Sequence, residues 1–189
     1  VHNDSATYNW DIGTIKRGTA YDRKFEVPSH QFIDLSDRNG AYGVTILTDD
    51  KNGSDKPDDH TIGLTLMRSP GISAGGRGYS DQASQDWGHH EFVYGIAGHQ
   101  GDYRAAGTDW QAWRLNAPEM VFAAPRHAGS LGKSFSLVKV SNPRVRVLAV
   151  KRAEASSNEY VIRVVELDGK AQHHVRIAFA APITSAREV

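Results

Sequence analysis

Cysteine is absent from the 189 residues, which removes disulfide frameworks, thiolate nucleophiles and Cys-ligated zinc together. Any chemistry must use carboxylate, imidazole, hydroxyl or amine groups. A charge excess is missing too, since 22 Lys and Arg balance 22 Asp and Glu. No overall field gathers a polyanion, so no nucleic-acid partner is expected. No apolar run approaches the ~20 residues of a membrane-spanning helix, and the start lacks the basic-then-apolar order of a secretion signal. No membrane partner is expected; a soluble protein is, with a cytoplasmic setting favoured. The strand-and-helix alternation of parallel βαβ units is also missing. At this length one domain can bury a core without metal or disulfide staples.

What is present is alternation with period two. Val175, Ile177 and Phe179 alternate with Arg176 and Ala178, and Val161 and Val165 flank Arg163 in a run rich in β-branched residues. Similar runs predict strands near residues 23–34, 41–48, 61–68, 90–98, 133–140, 143–151, 159–167 and 172–180. Asn39-Gly40 and Asp168-Gly169 supply the positive φ that tight turns need, so the neighbouring strands are expected to be antiparallel. Two stretches read as long loops: the Asp-rich residues 49–60 and the Gly-rich residues 69–88. One short helix is expected near residues 102–115, capped by Thr108 or Asp109, with Pro118 beyond its end.

Several side chains could carry function. Trp110 and Trp113 lie at near-helical spacing, as core or as a sugar-stacking platform. His89, His90 and His99 cluster in sequence. A zinc site needs three or four convergent ligands, whereas adjacent residues of an extended chain diverge. His90 and Phe92 are therefore expected on one face, His89 and Glu91 on the other, and structural or solvent-facing histidines are expected throughout, His173 and His174 included. Asp49-Asp50 and Asp58-Asp59 offer the paired carboxylates a glycosidase requires, or are solvated surface. Asn3 and Asn52 each begin an Asn-x-Ser triplet, which decides nothing about compartment.

The order of short segments carries a resemblance. Ile15–Thr19, Arg23–Ser36, Tyr42–Leu47, Leu64–Pro70, Asp86–Phe92, His99–Tyr103 and Lys151–Glu154 together resemble the large β-domain that follows the catalytic barrel in family 38 glycoside hydrolases, the α-mannosidases. The resemblance runs from about Ile12 to Ala181. It departs at Gly98, where the family usually has Pro before the His, and around Gly75–Gly78, which is more glycine-rich than usual. It implies an all-β antiparallel sandwich, part of a galactose mutarotase-like supersandwich, with residues 1–189 forming one domain. Val1 in place of Met, and an end at Ile183–Val189 without a terminating turn, fit a piece of a longer multidomain glycosidase.

In that family a retaining mechanism uses an Asp nucleophile and a zinc ion held by His and Asp, all on an N-terminal barrel. No catalytic residue, metal or cofactor is therefore expected in this chain, and zinc is expected in the missing catalytic domain. The family's β-domain sends one loop toward the barrel; here that loop is Thr48–Gly53, which makes Asp49, Asp50, Lys51 and Asn52 the candidate substrate-binding residues, against the reading of a solvated turn. The expected role is to pack on the barrel and complete a cleft for mannose-containing glycan. The alternatives are a free-standing carbohydrate-binding module and a plain interaction domain with an exposed apolar patch. A homo-oligomer is possible on this reading.

Overall fold

The computed structural model describes residues 1–20, 26–49, 51–68, 73–74, 77–78 and 85–189. The chain divides into two compact units, Val1–Glu119 and Met120–Val189.

In the first unit a five-stranded antiparallel sheet is built from β1 (Ser5–Trp10), β2 (Gly13–Gly18), β4 (Phe32–Ser36), β5 (Tyr42–Thr48) and β10 (Tyr94–Gln100), in the order β10-β5-β4-β1-β2. A three-stranded sheet joins β3 (Glu26–Pro28), β6 (Gly53–Asp55) and β7 (Gly63–Thr65). Two-residue strands β8 (Ser73–Ala74) and β9 (Arg77–Gly78) pair with each other.

Strand β4 is central, and its sequence shows why. Phe32, Ile33, Asp34 and Leu35 are all buried, as in a strand covered on both faces. Ile33 and Leu35 point to one face, where they join Ala6, Tyr8 and Val27, with Ile15, Ile46 and Ile62 packed around them. Val27 belongs to β3, so this is the sandwich layer between the two sheets. Phe32 points to the other face and meets Tyr103 and Ala112, with Leu47 alongside. Ala112 lies on the single helix, α1 (Thr108–Asn116). The fold is thus the expected all-β antiparallel sandwich with one short helix, and the helix covers a sheet face through β4 and β5. The expectation was a cap by Thr108 or Asp109; Gly107 caps the helix instead, in the left-handed region at φ 63. Thr108 is buried, its hydroxyl 3.4 Å from that of Thr45, so the core has claimed the side chain that would have capped.

The run expected as one strand over 23–34 is broken: Pro28 ends β3 and a turn through Ser29–Gln31 leads into β4, residues 21–25 lying outside the described ones. The turn glycine Gly40 adopts φ 65, and Asp37 closes its turn by accepting the Ala41 amide at 2.7 Å.

In the second unit β11 (Val138–Val140) pairs with β14 (Ile177–Phe179), and β12 (Val145–Ala153) forms a long hairpin with β13 (Ser156–Glu166). Gly169 adopts φ 69 as the Asp-Gly pair implied, but the strands on either side of it do not pair with each other as expected: β13 pairs with β12 and β14 with β11. Glu166 accepts the amides of Asp168 and Lys170, and Asp168 takes the Arg144 guanidinium at 2.7 Å.

Tyr8 gives the inter-sheet layer a measurable signature. It is fully buried, and its hydroxyl has no hydrogen-bond partner among the described residues. Burial, helped by the nearby Asp55 charge, raises its pKa from 10.0 to about 12. Between those values the unfolded chain loses the phenol proton while the folded one keeps it, so stability falls as pH rises. The loss approaches about 3 kcal/mol at the upper end. Tyr8→Phe should remove this part of the alkaline slope in urea melts. It should also raise stability near neutral pH, because it deletes a buried hydroxyl that has no partner.

Candidate functional site at one rim of the sheet

Antiparallel pairing gathers four chain segments at one end of the five-stranded sheet. Strand β1 ends there at Trp10 and β4 starts at Phe32, paired with Leu47. Strand β5 ends at Thr48, and β10 begins opposite it with Tyr94. The connections around these strand ends form the rim: the β1–β2 turn, residues 29–31, residues 49–52 and residues 91–93.

The expected loop is part of this rim, and it is anchored. The Lys51 amide donates to the Thr48 hydroxyl at 3.1 Å, the Asn52 carbonyl accepts the Ser29 amide at 3.0 Å, and Asn116 at the end of α1 donates to the Thr48 carbonyl at 2.9 Å. The Lys51 ammonium sits 4.4 Å from the centre of the Phe92 ring, a cation–π geometry that steadies a long side chain. Asp49 and Asn52 are exposed. Asp50 lies outside the described residues.

The Asp-rich stretch does not stay at this rim. Strand β6 carries the chain across the small sheet, so Asp58 and Asp59 arrive at the opposite end, where the Asn3 amide donates to the Asp59 carbonyl. There they enclose Lys56, whose side chain is fully buried. Its ammonium donates to the Thr19 hydroxyl at 3.1 Å and to the Asp58 carbonyl, and Asp59 lies 3.9 Å away. Desolvation pulls the Lys56 pKa down, against the opposing pull of Asp59, Asp58 and Asp4. Hydrogen bonds from the His60 amide and the Thr61 hydroxyl hold Asp58 below its usual range, the reverse of what a general acid needs. These carboxylates organise a loop.

The histidines divide as the extended-chain geometry predicts. His89 meets Glu91 at 3.2 Å, and His90 stacks parallel to Phe92 with centroids 6.1 Å apart, although β10 begins only at Tyr94. His173 and His174 are exposed. His99 is structural. Its Nε2 lies 2.6 Å from Asp34 Oδ2 and its Nδ1 3.2 Å from the Gly101 carbonyl oxygen, so both ring nitrogens are committed. To reach Asp34 on β4 the imidazole crosses β5 at Gly43, where an added Cβ would sit 2.5 Å from His99 Cε1. Asp34 also accepts from Thr45 at 2.6 Å and Ser36 at 2.7 Å. Both ring nitrogens are thus engaged within the sheet, where the pair ties β10 to β4. No three His, Asp or Glu side chains converge as metal ligands among the described residues.

Trp110 and Trp113 are half-buried on α1. The rim contains a different aromatic group that the sequence reading missed. Trp10 is 44% exposed and stacks on the His30 ring at 5.6 Å and 20°. Asp11 follows at φ 49, its amide donating to His30 Nδ1 at 2.9 Å. In the second unit an open groove of about 580 Å³ is lined mainly by Val145, Val164, Val175 and Ile177. Glu166, which borders it, is already occupied by turn amides.

Residues 1–73 match the glycosyl hydrolases family 38 C-terminal domain. Those residues belong to glycoside hydrolase family 38. The chain is 32% identical over 176 residues to human alpha-mannosidase 2C1, an alignment that spans 89% of this chain and 16% of that protein. It is 36% identical over 106 residues to the alpha-mannosidase of Saccharomyces cerevisiae, spanning 53% of this chain and 9% of that protein. In fold it is similar to a glycosyl hydrolase family 38 protein from Enterococcus faecalis, with a TM-score of 0.79 and 21% identity over 95% of this chain and 21% of the other. An alpha-mannosidase from the same species gives 0.74 and 23%, over 88% of this chain and 19% of the other. Among the described residues no helix is long and apolar enough to cross a membrane.

Proposed function

We propose that this chain is a non-catalytic β-domain of an α-mannosidase, packing on a catalytic barrel and lending its rim to the cleft that binds mannose-containing glycan. Zinc and the nucleophile belong, on this reading, to the barrel. The observation that carries it is an adjacency: an anchored polar loop, Thr48–Asn52, lies beside an edge strand that presents Tyr94 and Ile96 to solvent. Ile96 is 72% exposed and Tyr94 52%. β10 lies at the end of its sheet, and an apolar edge with open backbone is a surface that a folded protein normally covers. The loop supplies Lys51, Asn52 and Asp49 for sugar hydroxyls, with Lys51 already oriented by Phe92.

The purified chain should release no nitrophenol from an aryl α-mannoside, with or without added zinc; release by enzyme-free material would overturn the proposal. Calorimetry with mannose oligosaccharides should find no micromolar binding, because one wall of a composite pocket supplies only part of the contact. Tight binding would instead favour the free-standing carbohydrate-binding module.

A further inference from the structure

The β1–β2 turn is built at a cost that a simple connection would avoid. Trp10 pairs with Gly13, leaving Asp11 and Ile12 as a two-residue loop. Asp11 takes φ 49, and positive φ at the first loop position is where glycine is favoured. Asp is among the few other residues that tolerate the left-handed region. Here it puts a carboxylate beside an indole. The Asp11 side chain is exposed and hydrogen-bonds to no described residue, while its amide fixes the His30 ring by donating to Nδ1 at 2.9 Å. A lone pair used at Nδ1 leaves the ring proton on Nε2, so His30 offers a donor. The His30 amide in turn donates to the Asn9 carbonyl at 3.1 Å, and the imidazole covers one side of the Trp10 ring at 5.6 Å. The result is a supported indole beside one acceptor group and one donor group.

We propose that Trp10, Asp11 and His30 form a saccharide subsite distinct from the Thr48–Asn52 loop. The indole stacks on the C–H face of a pyranose, Asp11 accepts from vicinal hydroxyls, and the His30 Nε2–H donates to a third oxygen. A flat apolar face flanked by a carboxylate and a neutral donor suits a neutral sugar, whereas Asp11 repels anionic ligands. The residues share the rim with the loop, so a glycan that enters the cleft can continue across them. The choice of mannose as the sugar rests on the cleft reading above; the stacking geometry does not.

The test is a titration of the chain with α-linked mannobiose, followed in proton–nitrogen correlation spectra, with the Trp10 indole signal assigned from Trp10→Phe. Saturable shifts at the Trp10 indole and the Asp11 and His30 amides are expected, with a dissociation constant on the order of millimolar. Trp10→Ala should weaken binding about tenfold. Asp11→Asn, which keeps the left-handed backbone, should also weaken it while leaving the remaining spectrum in place. Shifts confined to residues 48–52 and 92, unchanged in Trp10→Ala, would overturn the subsite and leave the cleft reading intact. Absence of any saturable shift would also overturn the subsite, and the nitrophenol assay would then judge the cleft reading alone.

Discussion

Replacing Asp34 with alanine should lower the unfolding free energy by about 3 kcal/mol or more, because it takes a buried acceptor away from three hydrogen-bond donors. The carboxylate is 1% exposed and its His99 partner 6%, so water cannot take over the lost contacts. Three donors converge on it: the Thr45 hydroxyl at 2.6 Å, His99 Nε2 at 2.6 Å and the Ser36 hydroxyl at 2.7 Å. Alanine removes the acceptor that all three share, on three different strands, and only Thr45 keeps a second hydroxyl, that of Thr108 at 3.4 Å. Each buried group left unsatisfied costs about 1–3 kcal/mol. His99→Ala should cost less, because Asp34 then keeps two hydroxyl donors. Asp34→Asn preserves volume, keeps one carbonyl oxygen for His99 and Thr45 and turns its amide toward the Ser36 hydroxyl, which can accept, so it should cost the least of the three. Chemical denaturation of the three variants checks the ranking, and equal losses for Asp34→Ala and His99→Ala would contradict the view of Asp34 as the hub.

Gly43→Ala should be nearly as damaging, at about 3 kcal/mol, although it adds a single methyl group. The reason lies on both sides of the residue. On one side is the His99 ring, with Cε1 at 2.5 Å and Nε2 at 2.9 Å from the position a Cβ would take; on the other is Ser36 Cα at 3.0 Å. The backbone atom cannot yield, so the ring must, and moving it breaks the bond to Asp34. This predicts a coupling. In a double-mutant cycle the methyl should cost much less once His99 is already alanine, leaving only the milder Ser36 contact. Additive losses would mean that the ring and the methyl do not compete for the same space.

The elements of the fold were legible in part, since the runs expected as strands at 61–68, 133–140 and 172–180 are strand only over Gly63–Thr65, Val138–Val140 and Ile177–Phe179. The runs expected as strands at 41–48, 143–151 and 159–167 correspond to β5, β12 and β13, which are rich in the β-branched residues that favour extended backbone. Gly40 and Gly169 were legible for a local reason: their turns need positive φ, which glycine supplies. The β1–β2 hairpin was not. Ala6, Tyr8 and Trp10 do alternate with Thr7 and Asn9, a short signal that was passed over, whereas Gly13–Gly18 holds only Thr14 and Ile15 as β-branched residues and takes its strand character from pairing with β1. With the hairpin unrecognised, Trp10 and Asp11 could not be seen as a turn, nor His30 as their neighbour.

What the sequence determined by itself was class and family: no cysteine chemistry, no charge excess, antiparallel strands, one short helix, and an ordered set of segments that resembles family 38. Those properties are additive along the chain, so each short stretch testifies independently. Tertiary structure alone decided which polar groups meet. Asp34 and His99 are 65 residues apart, and only the order β10-β5-β4, with a glycine between them, brings the imidazole to the carboxylate. The Asp-rich stretch was expected as one long loop and became two ends of a sandwich, because β6 (Gly53–Asp55) spans the sheet between them. Sheet pairing joins residues without regard to their separation in sequence, and a local pattern holds no record of which strand will lie beside which.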